Sequence, residues 1–334
     1  MHHGHAPLER LSFHTESLVS RFPPRWQHRL KRVVYDIACP PDAVHGGAIE
    51  YTRWPARPLP AHLPTDEPRV RVIGCEGFFD YAPLPDVSGG VEWHVNFADP
   101  HLFVAYAGSL FAQDEMQVAE HPALGALLEA LHEGGHRAVT VDHQRPTPVL
   151  VTGVERRCRI ATEPDASAGR PAGLYGNAFA RASEQAVRHA TTPIVPPSVT
   201  NLIAMAAPGY GHGRYTPETV FEVLTTAFTA FEAAVAESTH LGDAGAPVVV
   251  HTGFWGCGAF GGNRVVMTIL QALAAQMAGV GHLVYHTGAG GGAPFREAMA
   301  FVDDWLESGQ ASSNDRLVET LVDCGYEWGE SDGN

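Results

Sequence analysis

The sequence predicts an α/β fold, a sheet with helices on both faces. Three observations lead there. From about residue 70 onward, short apolar or β-branched runs alternate with longer stretches of helical period. The clearest helical stretch carries its own start signal. A glycine-dense turn at 252–262 joins a strand to a helix, the place where open α/β sheets bind ligands. The 334 residues are 45% hydrophobic and only 18% charged, which supplies apolar surface for a large core.

The elements follow in order. Residues 1–68 are rich in Pro, Arg and His, as in Arg21-Phe22-Pro23-Pro24-Arg25 and Pro55-Ala56-Arg57-Pro58. They read as an irregular N-terminal extension packed on the core, with one helix near 26–38; a partner-binding arm is the alternative. Strands are expected at Val70–Ile73, Val91–Phe97, Pro148–Val154, Val199–Ala204, Pro247–His251 and His282–His286. Helices are expected at 216–238, 263–279 and 294–307. In the first, Val220, Val223, Leu224, Ala227, Phe228 and Phe231 share a face, and Thr216-Pro217 supplies an N-cap followed by a proline at the first helical position. Pro/Gly-dense stretches at 82–90, 145–148, 164–173 and 193–197 read as loops. The main domain is placed at 69–310. Residues 311–334 read as a C-terminal helix with a frayed acidic tail from Glu327 to Asp332.

Composition excludes several functions. The formal charge of −15 repels phosphate backbones at long range, so direct nucleic-acid backbone binding is not expected. A local pocket for a phosphorylated small molecule stays open, because backbone amides and helix N-termini can attract an anion. The five cysteines form no Cys-x-x-Cys pair, which argues against a disulfide framework or a structural zinc and for a reducing compartment. The 19 histidines show no His-Glu-x-x-His or similar metal-ligand spacing. No signal peptide or membrane span is expected, which leaves the cytoplasm as the default location.

Two loops could carry chemistry. The first follows the strand ending at Phe97 and runs through Asp99, His101, Phe103, Val104 and Ala105 to Gln113-Asp114-Glu115. Adjacent carboxyls facing one pocket repel, so one keeps its proton and can serve as a general acid. The competing reading is an exposed acidic helix start that complements the helix dipole. The second loop is Thr252-Gly253-Phe254-Trp255-Gly256-Cys257-Gly258-Ala259-Phe260-Gly261-Gly262, followed by Asn263. Its glycines allow tight turning and close approach to a ligand, and its amides lead into a helix N-terminus, as a diphosphate cradle requires. It is neither a Walker loop nor a Gly-x-Gly-x-x-Gly fingerprint, and an unusual strand–helix turn is the alternative. Cys257 reads as a small packed side chain rather than a nucleophile, and Trp255 as a core anchor more than a stacking platform. His94 and His101 flank the first loop as packing or surface residues. Gly209–Gly213 reads as a plain connection, and Gly288–Gly292 as either a lid or a long turn.

Together and in this order, the two loops resemble the poly(ADP-ribose) glycohydrolase family, whose catalytic domain is an elaborated macrodomain. The family pattern is close to Thr-Gly-x-Trp-Gly-Cys-Gly-Ala-Phe-Gly-Gly, and residues 252–262 reproduce it with Phe254 at the free position. The similarity spans roughly residues 91–305. The resemblance implies a macrodomain-like mixed sheet, no cofactor and no metal. It implies a diphosphate gripped by the Gly256–Gly262 loop, substrate contacts from Trp255, Gly256, Cys257, Gly258, Ala259, Phe260 and Gly261, and an adenine platform near Tyr285 or His286. Glu115 aligns with the family's general acid, Asp114 replaces its preceding glutamate, and Gln113 falls in register; Gln113 and Asp114 would then position the ribose. Phe97, Ala98 and Leu102 match. Asp99 replaces an asparagine that contacts the distal ribose, and Phe103-Val104-Ala105 replace three glycines. Those replacements imply either backbone strain or intrusion into the pocket.

Three functions follow from the resemblance. The first is hydrolysis of the glycosidic bond of an ADP-ribosylated macromolecule or an ADP-ribose polymer, with Glu115 as acid and then base. The second is a glycosidase of NAD or a small NAD-derived nucleotide, for which the rebuilt first loop and the acidic surface are no handicap. The third is a non-catalytic ADP-ribose reader.

Overall fold

The computed structural model describes residues 6–61, 68–307 and 313–333. The expected boundary near 310 lies outside the described residues. Among the described residues, ten strands and nine α-helices follow one another. In the N-terminal part these are β1 (Glu9–His14), α1 (Thr15–Arg21), α2 (Arg29–Ala38), β2 (Ala48–Arg53), β3 (Arg71–Cys75) and β4 (Val91–Ala98). Then come α3 (Gln113–Glu120), α4 (Ala123–Glu133), β5 (Val141–Asp142), β6 (Arg145–Pro146), β7 (Val149–Ile160), α5 (Glu184–Ala190) and β8 (Thr191–Ala206). The last group is α6 (Pro217–Leu241), β9 (Val248–Gly253), α7 (Arg264–Ala278), β10 (His282–His286), α8 (Gly292–Glu307) and α9 (Asn314–Asp323).

Eight strands form one mixed sheet in the order β1-β2-β7-β8-β4-β9-β10-β3. Strands β8, β4, β9, β10 and β3 are parallel neighbours, while β1, β2, β7 and β8 pair antiparallel. Alternation along the strands feeds two cores. Leu150 and Ile203 join the cluster under α6 and α7, whereas Val151 and Leu202 join the one under α1 and α4 on the other face. The long helix α6 starts as its sequence predicts: the Thr216 side chain accepts from the Thr219 amide and Pro217 opens the first turn. Its six face-sharing residues are all buried. By length and composition α6 could also cross a membrane, and here most of its apolar stretch is buried against α7 and the sheet.

Three expectations are corrected. Residues 1–68 are not an irregular extension: β1 and β2 continue the sheet beyond β7, and α2 matches the helix expected near 26–38. Side chains Ile49 and Tyr51 of β2 are fully buried in the core, so composition concealed a structural edge. The proline-rich stretch 193–197 is not a loop but part of β8, paired with the outer half of β7 through Cys158↔Pro193. Prolines are tolerated there because this arm is an exposed ribbon with neighbours on one side. The acidic tail is not frayed. Trp328 stacks on Tyr215 with rings 4.7 Å apart, and the Gly329 amide donates to the Gly261 carbonyl at 2.8 Å.

Phe231 sits at the centre of the α6–sheet core with no exposed surface. Phe231→Ala should lower unfolding free energy by about 3–5 kcal/mol in a denaturant titration, and a loss below about 1 kcal/mol would place the core elsewhere.

Candidate active site

The parallel strands end at one rim, and a cavity of about 970 Å³ opens there. Ala98, Ala207, Gly253 and His286 bring the ends of β4, β8, β9 and β10 to its floor. Both predicted loops meet in it.

The first loop is fastened by Gln113. Strand β4 pairs with β9 only as far as His94. Beyond that point its free edge carries the Val95 carbonyl and the Phe97 amide. Gln113 takes both: Oε1 accepts from the Phe97 amide at 2.8 Å and Nε2 donates to the Val95 carbonyl at 3.1 Å. Gln113 lines the cavity, and its side-chain amide also serves as a backbone clamp that anchors α3 to β4.

The clamp places Asp114 and Glu115 in the first turn of α3, both buried. Glu115 Oε2 accepts from the Ala112 amide at 2.9 Å, and Asp114 Oδ1 accepts from the Glu115 amide at 2.9 Å. Burial first, and the neighbouring Glu115 charge second, push the Asp114 carboxyl well above the usual carboxylate range. The exposed-helix-start reading of this pair is excluded by its burial. At the far end of α3, the buried Glu120 holds Arg156 Nε at 2.7 Å and the Ile160 amide at 2.8 Å, which locks the helix to β7.

Phe103 is absent from the cavity. Its φ of 52° is left-handed, the region a glycine enters freely, and its side chain turns into the core beside Leu102, Tyr106 and Leu124. Strain is thus accepted and intrusion avoided at this position. Val104, by contrast, is 58% exposed and lines the cavity with Ala105. Asp99 also lines it, with Oδ1 accepting from the His101 amide at 2.9 Å. His101 points to solvent, and His94 is buried under the floor, stacked on His251 at 4.3 Å.

In the second loop, tight turns engage the amides of Trp255, Cys257, Gly261 and Gly262. The amides of Gly256, Gly258, Ala259 and Phe260 are outside these turn bonds. Gly256 needs its φ of 74°, and a Cβ there would meet Ala207 at 2.6 Å. Asn263 caps α7, its Oδ1 accepting from the Val265 and Val266 amides at 3.0 and 3.3 Å. Trp255 is fully buried with Nε1 donating to the Met205 carbonyl at 2.9 Å, which bears out the core-anchor reading of its ring. Cys257 lines the cavity with its thiol donating to the Trp255 carbonyl at 3.6 Å, and burial pushes the thiol pKa up, away from thiolate. Phe260 lines the cavity beside Tyr210 of the 209–213 connection, which is therefore part of the wall and more than a plain connection. Gly261 packs against the Gly329 backbone instead of lining the cavity.

Tyr285 is corrected as well. It is fully buried, its hydroxyl accepts from Thr268 Oγ1 at 2.8 Å, and its ring packs between Phe254 and Phe295. His286 does line the cavity, and burial pushes its pKa down to about 4, so the ring is neutral. Gly292 opens α8, which shortens the expected lid to a turn around Gly288 and Ala289.

Sequence reasoning missed four contributions. Phe78, Phe79 and Tyr81 form an aromatic wall with His286, Phe79 lying 4.9 Å from the His286 ring. Tyr175 stands near both Asp332 and the carboxyl pair, whose charges add to burial in raising its pKa. Glu330 and Asp332 reach the cavity from the tail. Lys31 of α2 is fully buried, with Nζ donating to the Tyr106 carbonyl at 2.7 Å and the Ala105 carbonyl at 3.4 Å. None of these stands in a motif, and only the fold brings them together.

A mixed sheet covered by helices thus places a glycine turn and a carboxyl pair at one cleft. Residues 172–290 match the family model described as poly(ADP-ribose) glycohydrolase (PARG), macro domain fold. The matched stretch contains the glycine turn. Among solved structures, the Thermomonospora curvata poly(ADP-ribose) glycohydrolase is 16% identical with a TM-score of 0.48, covering 88% of this chain and 85% of that one. Its form bound to the inhibitor ADP-HPD is 19% identical with a TM-score of 0.47, covering 70% and 78%. The Deinococcus radiodurans enzyme in complex with ADP-ribose is 10% identical with a TM-score of 0.40, covering 88% and 95%. No curated protein matches the chain.

Burial pulls the Lys31 pKa down to about 8, and the negative charges of Glu115 and Asp114 oppose the fall. Lysine-selective isotope labelling and NMR should find one ammonium titrating near 8. Glu115→Gln removes a supporting negative charge and should move that midpoint lower. A midpoint that stays put or rises would place Lys31 away from the pair.

Proposed function

We propose that the protein is a glycosidase that hydrolyses the glycosidic bond of an ADP-ribose-containing substrate. One observation carries the reading: a buried, adjacent carboxyl pair and an amide-rich glycine turn face the same cavity. The turn at Gly256–Phe260, ahead of the α7 N-terminus, suits the diphosphate. The proton held by the carboxyl pair passes through Glu115 to the departing group as positive charge develops at the ribose, and Glu115 then takes one from the attacking water. Asp114, which holds that proton at rest, stands beside Glu115. Ala105, Val104 and Asp99 flank the ribose, while Phe97 lies beneath it and His286 beyond it.

The Gln113 clamp and the Ala112 contact keep Glu115 from swinging away between the two steps. Such fixing is what lets one group act first as acid and then as base at the same atom.

Purified protein incubated with ADP-ribosylated protein should release ADP-ribose, read by mass spectrometry. Glu115→Gln should slow that release about 10²–10⁴-fold while ADP-ribose binding persists. Full activity in that variant would overturn the assignment of Glu115, and binding without turnover in the wild type would make the protein an ADP-ribose reader.

A further inference from the structure

The cavity is acidic for a site that takes a diphosphate. Among the described residues, eight carboxyl side chains and three arginines line it. Asp114 is held protonated, and Glu120 is already paired with Arg156. Carboxyl side chains thus outnumber arginines in its lining, and two of them, Glu330 and Asp332, come from the tail that lies across the glycine turn. The Asp332 amide donates to the Gly258 carbonyl at 3.4 Å, and Asp332 Oδ2 stands 3.1 Å from where a Cβ on Gly258 would be. Near the carboxyl pair, Asp80 and Asp99 add charge of the same sign. An ADP-ribose polymer carries a diphosphate in every unit, and a second unit at this cavity would meet those carboxylates.

An independent observation concerns Gln117, one turn after Gln113 on α3. The residue is buried and lines the cavity. Its Nε2 donates to the Tyr81 hydroxyl at 3.1 Å, while its Oε1 has no partner among the described residues. A buried acceptor of this kind calls for an N–H donor.

Resting on the glycosidase reading, we infer that the group bonded to ribose C1 in the substrate is cationic and bears N–H donors, and is not another ADP-ribose unit. A carboxamide-bearing pyridinium and an alkyl guanidinium share that chemistry. Carboxylates attract the cation, Gln117 Oε1 accepts from its N–H, and the glycine turn holds the lone diphosphate. In the step itself the bond from ribose C1 to nitrogen breaks with its electron pair passing to nitrogen. Water adds its oxygen to that carbon and gives a proton to Glu115. A pyridinium leaves as the neutral base and needs no proton. The more basic guanidine takes up the proton and leaves as guanidinium.

The test compares kcat/KM for NAD, for a peptide ADP-ribosylated on arginine and for ADP-ribose polymer, at low and at high salt. At least one cationic substrate should exceed polymer by tenfold or more, and the advantage should shrink in salt. The first two arms separate pyridinium from guanidinium. The double variant Glu330→Gln/Asp332→Asn should raise polymer turnover several-fold and narrow the gap. Gln117→Leu should lower turnover of the favoured cation with little effect on the affinity of free ADP-ribose. Polymer equal to or better than both cationic substrates would overturn the inference and leave the glycosidase reading standing, as would an unaltered gap in the double variant. Release of ADP-ribose from none of the three would overturn that reading, and the inference with it.

Discussion

Two carboxyl groups buried side by side at the start of α3 constrain everything around them. Buried and adjacent, they cannot both ionise cheaply, so Asp114 is driven toward its protonated form. Their position must then be fixed by contacts that need no charge of their own. The Gln113 amide, spanning the edge of β4 that β9 has left, supplies one. The Ala112 amide on Glu115 supplies another. Lys31 provides opposing charge beside Asp114, and it holds the preceding loop through the Ala105 and Tyr106 carbonyls. A buried lysine is itself unfavourable unless its donors are used. The strands β1 and β2 that flank α1 and α2 are tied into the main sheet, and the N-terminal region is thereby part of the site's support.

The parts of this arrangement written locally were legible in the sequence. Strands β4, β9 and β10 and helices α6 and α7 announce themselves by period and caps, because burying one stripe or alternate face demands that spacing. The glycine turn was legible because Gly256 must adopt positive φ against Ala207, a requirement that restricts residue type at the position itself. What was illegible depended on distant partners. Prolines in β8 look like loop residues until one knows that this arm has an open side. The arginine- and proline-rich first residues hide β2, whose Ile49 and Tyr51 have apolar neighbours contributed by α4 and β7. Gln113 reads as a ribose ligand, and only the end of β9 pairing at His94 shows that it is also a clamp.

Phe103 shows how a departure from the family pattern is absorbed. Three glycines would let the backbone turn at this place without strain. A phenylalanine at φ 52° sits in a region that costs a bulky residue on the order of 1–3 kcal/mol. Full burial of the ring beside Leu124 and Tyr106 returns a comparable amount, about 1.5–3 kcal/mol. The two terms balance, so the turn is kept while glycine's freedom is lost. The result is a loop pinned from below by a ring and from the side by Lys31, with Val104 left projecting at the rim.

The match to the family covers residues 172–290, which include the glycine turn but neither the carboxyl pair nor the tail. The glycine turn and the carboxyl pair therefore rest on different stretches of the chain. The turn asks only for glycines, a cap at Asn263 and the N-terminus of α7. The carboxyl pair asks for a relation among α2, α3 and the end of β4, three elements far apart in sequence. The tail adds a third term, since Trp328 on Tyr215 and Gly329 on Gly261 press carboxylates onto the same turn that offers its amides to an anion. Attraction by the amides is short-ranged and directional, while repulsion by the carboxylates extends about a Debye length, roughly 8 Å at physiological salt. A single diphosphate seated on the amides can gain from the first. Any further phosphate lying off the turn meets only the second.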